Sequence, residues 1–175
     1  MKRTALTILA LCLPGLAQNQ IQDMLVKHWK TTGDFTIAVA KAMPADSYNF
    51  RPNPEEMSFG QLMAHIGVAD LGACVNASGM TRPDVPAKIA AFQKDSKTDI
   101  DRDTAIQFLG DVFAFCNKAV AAVPPDRMVT VVGPPNRNLT GFEWLWSYFT
   151  HTAHHRGQAE VYLRVKGIKP PDYVF

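Results

Sequence analysis

Four long stretches of helix-period hydrophobicity, each ended by proline or glycine, confine this chain to helix-on-helix packing. Over residues 20–43 the apolar positions Ile21, Met24, Leu25, Trp29, Phe35 and Val39 share one face, with Gly33 as a weak spot and Pro44 as the stop. Pro52 and Pro54 keep the next stretch extended. Ser58 and Gln61 then have capping-box spacing, which opens a second helix carrying Phe59, Leu62, Met63, Ile66, Val68 and Leu71 and ending near Gly79.

Residues 80–103, with Pro83 and Pro86, are too long for a tight turn and predict a connection that crosses the molecule, with a short helix near 87–92. A third helix follows over about 103–123, its inner face built from Ile106, Leu109, Val112, Phe113 and Cys116, and Pro124 and Pro125 end it. Residues 128–132 read as a short extended piece. Thr140 and Glu143 repeat the capping box, and the fourth helix runs to about residue 166, with Gly167 placed to end it in a left-handed conformation. The expected fold is all-α, a four-helix bundle with one long crossover; no strand alternation or internal repeat competes with it.

Residues 1–17 read as a secretory signal peptide. Lys2 and Arg3 precede an apolar run over 4–13, Pro14 and Gly15 break it, and the small Gly15 and Ala17 suit cleavage after Ala17. Leu11 before Cys12 is too large for a lipoprotein site, so no lipid anchor is expected. The mature chain, residues 18–175, then forms one secreted or periplasmic domain. Losing Lys2 and Arg3 leaves sixteen basic side chains against sixteen acidic ones. That balance lacks the basic footprint of nucleic-acid binding. No apolar run approaches the roughly 20 residues that span a bilayer. Cys74 and Cys116 read by default as small buried hydrophobes within helices, with pairing an open alternative, and a CxxC pattern is absent.

The chemistry concentrates in His151-Thr152-Ala153-His154-His155-Arg156-Gly157-Gln158. Residues four apart on a helix stack on one face, so His151 and His155 can aim at one ion. His154 and His155 diverge by about 100°, which favours His155 and leaves His154 at the edge of the site or on the surface. His65, the one histidine of the second helix, is set in an apolar stretch; alone it reads as a hydrogen-bonded core residue, and beside a histidine pair on another helix as a third ligand. Gln61, one turn earlier at about 40°, is placed to line the site, whereas Asp70 at about 140° and Cys74 at about 180° are poorly directed. Trp144, Tyr148 and Tyr162 lie near the histidine face, as core aromatics or as pocket walls. Thr152 stands where an HExxH metalloprotease needs glutamate, and neither a GxSxG turn nor a phosphate loop is present. His154, Glu143 and Glu160 are weak candidates for a general acid or base, and His28 is a packing or solvated residue.

The segment 58–69, the run His151-x-x-His154-His155-Arg156-Gly157-Gln158, and the closing Tyr162-Leu163-Arg164 with Gly167-Ile168-Lys169-Pro170-Pro171 resemble the DinB/YfiT-like metalloenzyme family. The resemblance covers the mature chain in order and spacing. It implies an up-down-down-up bundle with a divalent metal, zinc or nickel, held by three histidines near one end. Position by position, those ligands are His65, His151 and His155. Three nitrogen ligands leave a coordination position open, as in catalytic zinc sites. The function expected is that of a metal-dependent enzyme on a small molecule, of hydrolase or thiol S-transferase type. The alternative is a non-catalytic metal- or ligand-binding protein with a structural metal. A homodimer is left open.

Overall fold

The computed structural model describes residues 14–174, with side chains from residue 20 onward. Its elements are α1 (Pro14–Ala42), α2 (Phe59–Ser78), α3 (Ala87–Lys94), α4 (Arg102–Ala121), α5 (Pro125–Val129) and α6 (Gly141–Val165). Most of the expected leader lies outside the described residues. The expected cut after Ala17 falls within the first turn of α1.

Both capping boxes form. The Ser58 hydroxyl accepts from the Gln61 amide while the Gln61 side chain accepts from Ser58, and Thr140 and Glu143 do the same at α6. These side chains satisfy N–H groups that a helix start leaves orphaned. Gly79 and Gly167 both adopt φ +74°, in the left-handed region that ends a helix without a side-chain clash.

Hydrogen bonds between helix ends set the directions. Gln22, near the start of α1, donates to the carbonyls of Val120, Ala121 and Val123 at the end of α4. Arg102, at the start of α4, donates to Lys41 and Met43 at the end of α1, so α1 and α4 are antiparallel. Gln61 reaches Thr98 just before α4, and Arg127 just after it reaches Asn76 and Ala77, so α2 and α4 are parallel. Tyr162 of α6 bonds to Met57 ahead of α2, whereas Thr152 meets Asp70 farther along; these two helices are antiparallel. The order is therefore up-down-down-up. Parallel α2 and α4 require the crossover over residues 79–101, in which α3 forms near its expected position.

Trp29, Phe59, Leu109, Leu145 and Leu163 are fully buried between the helices. Gly33, the expected weak spot of α1, is a point of close approach. A Cβ there would stand 2.7 Å from the Phe113 ring, so α1 and α4 meet across a position that only glycine leaves free.

Two local expectations are corrected. Residues 128–132 are not simply extended: Pro125 starts the short helix α5, closed by Thr130 N–H to Asp126, and the extended part reduces to one bridge between Val131 and Thr140. Cys74 and Cys116 are buried, as expected, but bonded to each other. Parallel α2 and α4 bring their Cα atoms to 5.4 Å, within disulfide range. Among the described residues, no helix is long and apolar enough to cross a membrane.

Candidate metal centre

His65 lies on the second turn of α2, and the Ser58 cap and Gly79 stop fix that helix at both ends. His151 and His155 stand one turn apart on α6, on the face turned toward α2. The three imidazoles touch. Their ring centroids are 5.0 Å (His65–His151), 4.7 Å (His65–His155) and 4.3 Å (His151–His155) apart. One ring nitrogen from each lies within 4.8 Å of the others. The Nε2 atoms of His65 and His151 are 3.1 Å apart, close to the roughly 3.3 Å separating two nitrogens on one tetrahedral zinc ion.

Electrostatics keep these rings neutral. Burial, aided by the neighbouring His155, lowers the basicity of His65. His151 is lowered to about 4, first by burial and then by the surrounding histidines. His155 is lowered by burial against the opposing pull of Gln158. Neutral imidazole is the form that ligates a metal, so near neutral pH little proton displacement is needed. Such a cluster is otherwise hard to account for. His151 Nδ1 is buried with no hydrogen-bond partner among the described residues, and its Nε2 faces another imidazole. A shared divalent ion would take one nitrogen from each ring and replace the imidazole-to-imidazole contact of His65 and His151 with two bonds to metal, so the donor set fits a metal.

One consequence is a pH dependence of the metal-free protein. Below about pH 6.5 an unfolded histidine takes up a proton, whereas folded His151 resists until about pH 4. Acid therefore favours the unfolded chain, and stability present above pH 6.5 should fall through that window. Chelator-treated wild type and a His151→Gln variant should differ in the steepness of that fall when urea midpoints are followed from pH 7.5 to 4. Parallel profiles would contradict the assignment.

Gln158 is a site residue that the histidine pattern did not single out. Its Oε1 lies 2.7 Å from His155 Nδ1, so Nδ1–H donates to it and Nε2 is left to face the cluster. The i,i+3 spacing on α6 is the signal that could have found it. Gln158→Leu should weaken metal binding about tenfold while sparing the fold, as titration against a competing chelator can check.

Other expected site residues are placed elsewhere. Gln61 does not line the cluster, because its amide is spent on the Ser58 cap and on Thr98. His154 is exposed and outside the three-nitrogen group, although its ring lies beside His155. Glu143 is exposed, and hydrogen bonds from Thr140 hold its carboxyl below the usual range, which suits a cap and not an acid. Glu160 pairs with Arg164. Trp144 is buried and donates to Val132, whereas Tyr148 flanks His151 at 5.5 Å. Tyr162 is both core and wall. It packs against Phe59 and also lines a cleft of about 250 Å³ with Pro52, Asn53, Glu56, Gln158 and Val161. Gln158 thus touches both the cluster and the cleft.

Comparison with known proteins bears on the family and the fold. A family model described as the DinB superfamily matches residues 28–159. The uncharacterized protein YjoA of Bacillus subtilis (strain 168) is 24% identical over 147 residues, covering 83% of this chain and 90% of YjoA. Among solved structures, a DinB-like protein from Bacillus cereus ATCC 10987 superposes with a TM-score of 0.70 at 16% identity, covering 87% of this chain and 97% of that one. The YjoA structure superposes at 0.65 and 20% identity, covering 86% and 96%.

Proposed function

This chain belongs to the DinB superfamily, and from that premise we propose that it is an exported metal-dependent enzyme holding one divalent ion on His65, His151 and His155. The observation that carries this reading is the convergence of three neutral imidazoles from two helices. Nitrogen-only donors suit zinc or nickel. An ion there supplies Lewis acidity and makes a coordinated water or thiol more acidic.

The protein's own residues do the rest. Gln158 orients His155, Tyr148 walls His151 on one side, and the cleft lined by Asn53, Glu56, Gln158 and Tyr162 receives a small molecule. Metal-assisted hydrolysis fits an exported protein better than thiol S-transfer, because low-molecular-weight thiols are chiefly cytosolic. The disulfide between α2 and α4 supports export, since such bonds persist in oxidising compartments.

The competing reading is a metal that only ties α2 to α6. An accessible coordination position separates the two. In the cobalt-loaded protein, added imidazole or a small thiol should shift the visible d–d bands if the site is open. A spectrum unmoved by millimolar amounts of either would favour the structural metal.

A further inference from the structure

The run His151-Thr152-Ala153-His154-His155-Arg156 interleaves the histidines with polar residues that point into the bundle. Thr152 follows His151 and is fully buried, as is Asp70 on α2. Thr152 Oγ1 lies 2.7 and 2.8 Å from the two carboxyl oxygens of Asp70. Arg156 follows His155 and is 6% exposed. Its guanidinium donates to Thr32 of α1 and lies 4.4 Å from the Phe35 ring centroid.

A four-helix bundle does not need a carboxyl, a hydroxyl and a guanidinium in its interior. Apolar residues of similar volume would pack there at no desolvation cost. What such groups add is direction, because a hydrogen bond fixes spacing and rotation in a way that apolar contact does not. Asp70 and His65 share α2, and Thr152 shares α6 with His151 and His155. The Asp70–Thr152 bond therefore spans the same two helices that the metal ligands span. A small rotation or slide of α6 breaks that bond and separates the imidazoles together. Arg156 holds α6 against α1 on the other side.

Resting on the metal-centre reading above, we propose that Asp70 and Thr152, backed by Arg156 and Thr32, are positioning residues that set the α2–α6 register in which His65 meets His151 and His155. None of the four needs to touch the ion. Burial pushes the Asp70 carboxyl up to about 8, against the opposing Thr152 bond and Arg156 charge, so a neutral carboxyl is available if its partner is removed. Loss of the hydroxyl alone should therefore leave a foldable protein.

The test is Thr152→Val, which keeps the shape and deletes the hydroxyl, beside Thr152→Ser, which keeps the hydroxyl. The full-length processed protein would be titrated with zinc against a chelator, and its cobalt spectrum recorded. Thr152→Val should bind zinc 10- to 100-fold more weakly and show altered cobalt bands, whereas Thr152→Ser should stay within about threefold of wild type. If Thr152→Val does not fold, the double variant Asp70→Asn with Thr152→Val removes the stranded carboxyl and must show the same weakened site. Wild-type affinity and bands in Thr152→Val, with only a lower melting temperature, would reduce the network to a stability role and overturn the proposal. Wild type that binds neither zinc nor cobalt would instead overturn the metal centre itself, and this proposal with it.

Discussion

His151→Ala should strip the metal from the protein and leave the bundle standing. Structural zinc sites yield roughly 10–16 kcal/mol, which over three or four ligands is about 4 kcal/mol each, or on the order of a thousandfold in affinity. His65→Ala and His155→Ala should do the same, because each supplies one nitrogen of the same cluster. The fold should survive, since the apolar core that joins the helices lies in residues such as Trp29, Phe59, Leu109 and Leu163, not in the imidazoles. Metal analysis of purified wild type should give close to one equivalent of zinc or nickel, and all three variants should give far less at unchanged helical circular dichroism. Retention of a full equivalent by any one variant would remove that histidine from the ligand set.

The second large effect concerns stability. The Cys74–Cys116 bond closes a loop of 42 residues between two parallel helices. Chain-entropy estimates for a loop of that length give about 4 kcal/mol of stabilisation, within the range of about 2–5 kcal/mol typical for native disulfides. For a domain of this size that corresponds to a melting temperature about 8–16 °C lower when the bond is lost. The Cys74→Ala, Cys116→Ala double variant should show that fall, and a reductant should reproduce it in the wild type. Metal affinity at 25 °C should hardly change, because the bond joins α2 to α4 whereas the three histidines lie on α2 and α6. Equal melting temperatures with and without reductant would argue that the bond contributes nothing to the native state.

The helices and the His151–His155 pair were legible in the sequence for definite reasons. Ser58–Gln61 and Thr140–Glu143 announce helix starts through short-range hydrogen bonding, which depends on three-residue spacing and not on tertiary context. Gly79 and Gly167 mark helix ends because few other residues tolerate the left-handed conformation they adopt. His151 and His155 were paired by helical periodicity alone, and the divergence of His154 followed from the same 100° step.

Other features depended on neighbours that no local pattern specifies. Gln61 was expected to line the histidine site, yet its side chain has one amide, which the Ser58 cap and Thr98 claim. Gly33 looked like a weakness until Phe113 was found against it. Asp70, dismissed on angle as a ligand, is used against Thr152 one layer away. In residues 128–132 the β-branched side chains favour extended backbone, whereas α5 starts at Pro125 and takes in Met128 and Val129, a choice between weak local preferences that packing decides.

Local chemistry along the chain thus determined four helices, their caps and stops, and a pair of histidines, His151 and His155, one turn apart on one face. Those properties arise from interactions within a few residues, so the linear order is enough to reveal them. Only the tertiary structure decided that Cys74 bonds to Cys116, that His65 meets His151 and His155, and that a buried Asp70–Thr152 contact lies between the helices bearing these histidines. Each of these depends on the relative rotation and spacing of two packed elements, a few ångströms of geometry that the whole core sets and no short segment encodes.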